Sequence, residues 1–185
     1  MKFFHGTSYD NFLKIKERGF DMSDTIWHCS EPGQTYLYGA IQDDCFETEQ
    51  DAIEDAFLNA KFAARLAAAS NGSNYNKAII LEFESDFDNE IITYDHSCED
   101  MKYMNAFQID NSDLNKMPYK IHEVPYYSGM RYIYLSGVIN NSYFDISNLS
   151  KEEIEIIKTL KEAEVELKCS DIIHYDDCLY NKVAY

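Results

Sequence analysis

The chain begins with a short apolar segment that ends in a histidine, a glycine and a threonine. Phe3 and Phe4 predict a buried strand, and residues 9–20 have the apolar spacing of an amphipathic helix. His5, Gly6 and Thr7 therefore lie where a strand passes into a helix. Because glycine has no Cβ atom, a bound molecule can approach the backbone closely there. The pattern predicts a polar binding site at the end of the first strand, although it also fits an ordinary strand-to-helix turn with a surface histidine.

The order of the remaining elements predicts an α+β fold in a single domain of 185 residues. Thr48 with Asp51 and Ser150 with Glu153 have the spacing of helix capping boxes. The first box predicts a long helix that ends at Ser70, and the second predicts a helix over 151–168. The latter helix and the tail are a possible appendage to the domain. Strands are predicted at 25–30, 77–84, 91–94, 119–124 and 131–139, and around 172–173.

The charge of the chain limits its choice of partners. It has 16 lysine and arginine residues against 33 aspartate and glutamate residues, for a net charge of −17. Proteins that hold DNA or RNA directly carry basic patches that neutralise phosphates, so we expect no direct nucleic-acid binding. A negative field attracts a basic protein partner, and it also serves solubility alone.

The cysteines and histidines indicate a cytoplasmic protein without a metal. The five cysteines are an odd number and include no Cys-x-x-Cys pair, which favours reduced thiols. The five histidines lack the spacing of metal ligands. No apolar run is long enough to span a bilayer, and charged residues interrupt the first 20 positions, so neither a membrane span nor a signal peptide is expected.

A second group of candidate residues follows the first helix. Trp27 and Tyr38 are eleven positions apart on either side of Pro32-Gly33, and Thr35 lies between them. Two aromatic rings brought face to face would hold a flat heteroaromatic ring by stacking, and the threonine hydroxyl would meet its polar edge. The same aromatic residues also fit a place in the core.

These two segments together resemble the ADP-ribosyltransferase superfamily, in its His-Tyr-Glu branch of diphtheria toxin and the poly(ADP-ribose) polymerases. The resemblance covers residues 3–40: Phe-Phe-His-Gly-Thr-Ser, a helix, Arg-Gly-Phe, and then the spaced aromatic pair. It implies an ADP-ribosyltransferase-like split β-sheet core with flanking helices. It also implies NAD as the substrate.

The resemblance assigns roles to individual residues. In the family, the first-strand histidine bonds the adenine-side ribose and the next glycine holds the nicotinamide amide, which here are His5 and Gly6 with Thr7 in support. The family's stacking tyrosine, small hydroxyl residue and second tyrosine fall on Trp27, Thr35 and Tyr38. The tryptophan departs from the pattern, since it keeps the stacking but lacks the phenol.

The family's catalytic glutamate has no clear counterpart in this chain. At the start of the late strand, where the acid is expected, Arg131 stands instead. A carboxylate is needed there because positive charge develops as nicotinamide leaves. We expect Glu123 to supply it, with Glu99, Asp100 and Asp110 as alternatives.

The sequence therefore predicts an NAD-dependent mono-ADP-ribosyltransferase that releases nicotinamide and modifies a macromolecular target, with a basic protein as the expected acceptor. Two other functions stay open: a degenerate member of the fold that binds NAD or ADP-ribose without turnover, and an acidic decoy that blocks a nucleic-acid-binding partner. The related RNA 2′-phosphotransferases also begin near a His-Gly-Thr triplet, but the negative charge argues against a phosphorylated RNA substrate.

Overall fold

The first strand of the chain lies inside an antiparallel sheet, with neighbours on both sides. A computed structural model describes residues 1–21, 33–41, 46–86, 92–94, 105–138 and 149–162. Within these ranges the strands are β1 (Lys2–Ser8), β2 (Gln34–Gly39), β3 (Lys77–Glu84), β4 (Ile92–Tyr94), β5 (Ala106–Asp110) and β6 (Tyr119–Pro125). They form one sheet in the order β4-β5-β2-β1-β3-β6, and every neighbouring pair is antiparallel.

Helices flank this sheet, which establishes the expected α+β class. The described helices are α1 (Tyr9–Arg18), α2 (Glu49–Asn71), the single turn α3 (Asn111–Leu114), α4 (Gly129–Val138) and α5 (Lys151–Glu162). No helix in the described part of the chain is long and apolar enough to cross a membrane. The split sheet expected from the resemblance is not seen among the described strands, because β1 hydrogen-bonds to both β2 and β3 and so joins all six into one sheet.

Each face of the sheet carries its own apolar core. Alternate residues of a strand point to opposite faces, so Phe3 and Phe4 enter different cores. Phe4 packs against the alanine-rich side of α2 at Ala60 and Ala64. Phe3 packs on the other face, where Phe12 of α1 also lies. The two faces of β1 therefore have different roles, with a long helix on one and the short α1 on the other.

Gly6 is the point of closest approach between β1 and α2. A Cβ atom at Gly6 would lie 1.9 Å from the carbonyl oxygen of Ala60 and 2.6 Å from the backbone nitrogen of Ala64. Because both obstacles are backbone atoms, no side chain can fit here. This glycine is required by helix packing, whatever else its backbone does.

Several predicted boundaries are confirmed. The helix predicted over 9–20 is α1, which has Ser8 as its N-cap and Gly19, at a positive φ of 79°, as its C-cap. Thr48 and Asp51 form the predicted capping box of α2. In the second box, the amide of Ser150 donates to Glu153 and the amide of Glu153 donates to the Ser150 hydroxyl. The strand at 77–84 is confirmed in full.

Other predictions are wrong or fall elsewhere. The predicted strand at 131–139 is helix α4, and neither β2 nor β5 was predicted. The predicted strand at 25–30, the tail at 172–173 and the end of the last helix lie outside the described residues.

Arg131 explains why its segment is a helix. Its Nη1 donates to the carbonyl oxygens of Ala69 and Ser70 at 2.7 and 2.8 Å, and its Nε donates to Glu153 at 2.8 Å. The last carbonyls of α2 lack partners within their own helix, and a cation there is stabilising. Met130 and Ile133 are buried in the core that α2 covers. These tertiary contacts outweigh the β-propensity of Tyr132, Ile133 and Tyr134.

Candidate functional site

A cavity lined mostly by polar residues lies between β1, α1, β2 and α3, on the face of the sheet opposite α2. Its volume is about 80 Å³. The residues that line it are His5, Thr7, Asn11, Lys14, Ile15, Arg18, Gly19, Phe20, Asp21, Thr35 and Asn111. Three of the residues predicted from the sequence to bind a ligand are therefore brought together: His5, Thr7 and Thr35.

His5 presents one nitrogen that makes no hydrogen bond within the described part of the chain. Its Nδ1 lies 2.9 Å from the carbonyl oxygen of Tyr36, and a carbonyl can only accept, so Nδ1 carries the proton. Burial lowers the pKa of His5, which keeps the ring neutral, although the bond to Tyr36 opposes this. Nε2 is then an acceptor, and it is buried without a described partner. Such a buried atom favours a ligand that donates an O–H or N–H group.

The α3 turn holds the far wall of the cavity in place. The Thr35 hydroxyl donates to Oδ1 of Asn111, whose Nδ2 donates to the carbonyl oxygen of Asp21. One turn later, Asn115 accepts from the amide of Phe20 at 2.7 Å and donates to the Phe20 carbonyl at 3.1 Å. The two asparagines thus fix the chain at Phe20–Asp21 against β2.

One side of α1 brings two cations to the cavity. Asn11, Lys14 and Arg18 are three and four positions apart and share a face of the helix. Lys14 and Arg18 are exposed, and Nε of Arg18 lies 3.5 Å from Oε2 of the exposed Glu17. Because an exposed ion pair is weak, both cations can still meet a ligand that extends from the cavity into solvent. Positive charge next to buried hydroxyl and amide groups suits an anionic, hydroxyl-rich ligand.

Two further predicted residues face away from this cavity. The direction in which Gly6 would carry a side chain leads into α2, as described above. Tyr38 packs in the core that α2 covers, where burial raises its pKa to about 12. Thr35 and Tyr38 are three positions apart, which places them on opposite faces because the segment is a strand. The structure therefore does not bring Tyr38 to His5, and Trp27 lies outside the described residues.

Glu123 lies on the same face of the sheet as His5 but on the far side of α1. The register aligns Thr7 with Ile79 and Ile79 with Glu123 across three strands. With 3.6 residues per turn, Arg18 and Tyr9 point to sides of α1 about 180° apart. Arg18 lines the cavity, whereas Tyr9 lies over Lys77, the ion-pair partner of Glu123 at 2.6 Å. The helix thus separates Glu123 from the cavity.

The other candidate acids are placed as follows. Asp110, at the end of β5, accepts a hydrogen bond from Gln34 at 3.3 Å and does not line the cavity. Glu99 and Asp100 lie outside the described residues. Asp21 provides the one carboxylate among the described lining residues. Arg131 is engaged at the end of α2 and takes no part in this site.

Sequence reasoning missed Lys14, Arg18, Asp21 and Asn111. The helical spacing of Asn11, Lys14 and Arg18 was available in the sequence, and it marks a polar stripe beside the histidine. Asn111 had no such signal, because it follows the unpredicted strand β5 and meets Thr35 only through the pairing of β2 with β5.

The cavity is smaller than a complete small-molecule site. Complete small-molecule sites occupy about 300–1,000 Å³, well above the volume found here. Among the described residues, no group of three or more histidine, cysteine, aspartate or glutamate side chains is placed to hold a metal ion.

Neither the sequence nor the fold of this chain matches a protein-family model, a curated protein or a solved structure.

Proposed function

We propose that this protein is an NAD-dependent mono-ADP-ribosyltransferase that modifies a basic protein target and releases nicotinamide. The observation that carries the proposal is the buried Nε2 acceptor of a neutral His5 in a cavity that also contains Thr7 and Thr35. These are residues to which the family resemblance assigns NAD contacts.

The chemistry of the lining residues matches the parts of NAD. Nε2 of His5 accepts a hydrogen bond from a ribose hydroxyl, since it has no other donor among the described residues. The pyrophosphate carries negative charge, which Lys14 and Arg18 neutralise at the rim. A cavity of about 80 Å³ encloses one ribose, and the remainder of the dinucleotide runs along α1.

In the proposed reaction, the bond between C1′ of the nicotinamide ribose and the pyridinium nitrogen breaks. Its electron pair leaves with neutral nicotinamide, and a nucleophilic side chain of the target bonds to C1′ and loses a proton. Positive charge develops on the ribose, so a carboxylate nearby stabilises the transition state. Asp21 lines the cavity and Glu123 does not, which makes Asp21 the better-placed acid.

One observation favours a second candidate, a protein that binds NAD or ADP-ribose without turnover. Glu123, the expected acid, is held in an ion pair with Lys77 and lies across α1 from the cavity. If Asp21 does not replace it, binding remains and catalysis is lost.

Two measurements on the same samples separate these functions. Calorimetry with NAD tests binding, and release of nicotinamide from labelled NAD in the presence of a histone mixture tests turnover. We expect His5→Gln to weaken NAD binding by about tenfold, the equivalent of one lost hydrogen bond to a buried group. His122→Gln is the matched control, since His122 lies on the other face of the sheet beside Glu82 and Phe57.

Each outcome decides between the candidates. Binding with nicotinamide release that Asp21→Asn abolishes supports the transferase. Binding of NAD without release of nicotinamide supports the second candidate. A flat titration of the folded native chain with NAD rules out both.

A further inference from the structure

A second polar cluster lies on the side of α1 away from the cavity. The rings of Tyr9 and Tyr75 are 4.7 Å apart between centroids and are tilted by 59°. The Nζ atom of Lys77 lies 4.3 Å from the centre of the Tyr9 ring and 2.6 Å from Oε1 of Glu123. We call Tyr9, Tyr75 and Glu123 the aromatic–acid site.

The fold brings this site together from four segments. Tyr9 is the first residue of α1, and Tyr75 lies in the turn before β3. Lys77 begins β3 opposite Pro125 of β6, two positions from the pair formed by Ile79 and Glu123. Diagonal neighbours on adjacent strands are within reach of long side chains, so Lys77 meets Glu123 across the strands.

An aromatic face beside a carboxylate is an arrangement that recognises a cation. The electron-rich face of a tyrosine attracts positive charge, and the carboxylate forms a charged hydrogen bond with it. In this chain the cation is Lys77, whose pKa is raised chiefly by its hydrogen bond to Glu123. Lys77 therefore occupies its own chain's cation site.

The site is open to solvent and so can exchange its occupant. Glu123 is 59% exposed and Lys77 is 29% exposed. Tyr75 is 42% exposed, and Ile121, two positions from Glu123 on the same face of β6, is 49% exposed. An exposed ion pair contributes little to stability, so a better cation can displace the lysine at small cost.

We propose that the aromatic–acid site binds an arginine side chain of a basic protein partner, which displaces Lys77. A planar guanidinium stacks on an aromatic ring and donates two hydrogen bonds to one carboxylate, whereas an ammonium does neither. The net charge of −17 attracts a basic protein over a distance, and the exposed Ile121 offers apolar contact beside the site. This inference does not depend on NAD binding or on transfer.

The test uses fluorescein-labelled peptides and the chain of 185 residues. Anisotropy compares a peptide of alternating glycine and arginine with peptides that carry lysine or neutral citrulline in place of arginine. Lys77→Met removes the internal occupant and Glu123→Gln removes the acid. Lys116→Met and Asp113→Asn are the matched controls, because they change the same charges in another exposed ion pair, Lys116 with Asp113 at 2.7 Å.

We expect Lys77→Met to tighten binding of the arginine peptide by about two- to fivefold, which is the scale of one exposed cation–π contact. Glu123→Gln weakens it by about fivefold or more. The arginine peptide binds better than the lysine peptide, and the citrulline peptide does not bind. Equal effects of Lys77→Met and Lys116→Met would show attraction by general charge alone and overturn the proposal, as would the absence of binding by Lys77→Met.

Discussion

His5 is held through its Nδ1 by the carbonyl oxygen of Tyr36, 2.9 Å away on the neighbouring strand. A backbone partner cannot change its protonation or rotate away. The proton on the ring is thereby confined to one nitrogen, and the other nitrogen, Nε2, is left as a buried acceptor in a residue that lines the cavity. The contact therefore sets which kind of ligand group His5 can meet.

The lowered pKa of His5 predicts a pH-dependent stability. The buried ring resists protonation in the folded state, whereas the unfolded chain binds a proton at its ordinary pKa of 6.5. The unfolded state then holds more protons below that value, so the free energy of unfolding falls as the pH drops below 6.5. Above 6.5 both states are neutral and this contribution is fully present.

Urea unfolding at several pH values between about 5 and 7.5 measures this slope, since most carboxylates titrate at lower pH. In His5→Gln the slope should flatten, even if the variant is less stable at every pH. An unchanged slope in His5→Gln would assign the pH dependence to other groups.

Asn111→Ala should weaken ligand binding at the cavity, although it leaves unchanged the two cations, Lys14 and Arg18, that would meet the ligand's charged groups. The substitution removes the acceptor of the Thr35 hydroxyl and the donor to the Asp21 carbonyl. Leaving buried partners unpaired costs about 1–3 kcal/mol each. We expect a lower midpoint in urea and an NAD affinity reduced by about tenfold.

If Asn111→Ala lowers the midpoint in urea but leaves the NAD affinity of the folded protein unchanged, Asn111 has no role in shaping the cavity.

Gly6→Ala should destabilise the protein by about 3 kcal/mol or more. The new Cβ would lie 1.9 Å from the Ala60 carbonyl oxygen, so β1 and α2 must separate. Thermal unfolding followed by circular dichroism gives the loss. Leu58→Ala, at an exposed position of α2, is the control and should stay within about 0.5 kcal/mol of the native chain.

Arg131→Met should loosen the end of α2 by about 2–4 kcal/mol. It removes two hydrogen bonds to the last carbonyls of the helix and leaves the carboxylate of Glu153 without its cation. Urea unfolding measures the change, and hydrogen exchange should locate it at the C-terminal turn of α2.

The same variant tests the expectation that Arg131 stands where the family's acid stands. Because the guanidinium of Arg131 is hydrogen-bonded to α2 and α5, folded Arg131→Met should bind NAD with the same affinity as the native chain. If Arg131→Met and the native chain bind NAD with different affinities at the same folded fraction, Arg131 takes part in ligand binding.

The parts of the fold that local chemistry determines could be predicted from the sequence. Capping boxes at Thr48 and Ser150 and the apolar run of β3 depend on residues close in the chain. Helix α4 could not be predicted, because Arg131 reaches carbonyls more than 60 positions earlier. Such long-range contacts outweigh the β-propensity of the segment, and the neighbouring sequence gives no sign of them.

The sequence likewise predicted only part of the candidate site. Three positions separate Thr35 from Tyr38, a spacing that shares one face in a helix and divides between two faces in a strand. Once 34–39 is a strand, Thr35 joins His5 and Tyr38 leaves. The element type decided which residues could meet.

The central place of β1 has a consequence for synthesis. β1 is synthesised before β2 and β3, the strands to which it bonds, and β3 ends only at Glu84. At a translation rate of about 5–20 residues per second, Phe3 and Phe4 remain unpaired with β3 for several seconds or more. During this interval the nascent chain exposes an unpaired apolar segment, the kind of surface that chaperones bind. Its yield in a cell should therefore depend on translation speed and chaperone supply as well as on final stability.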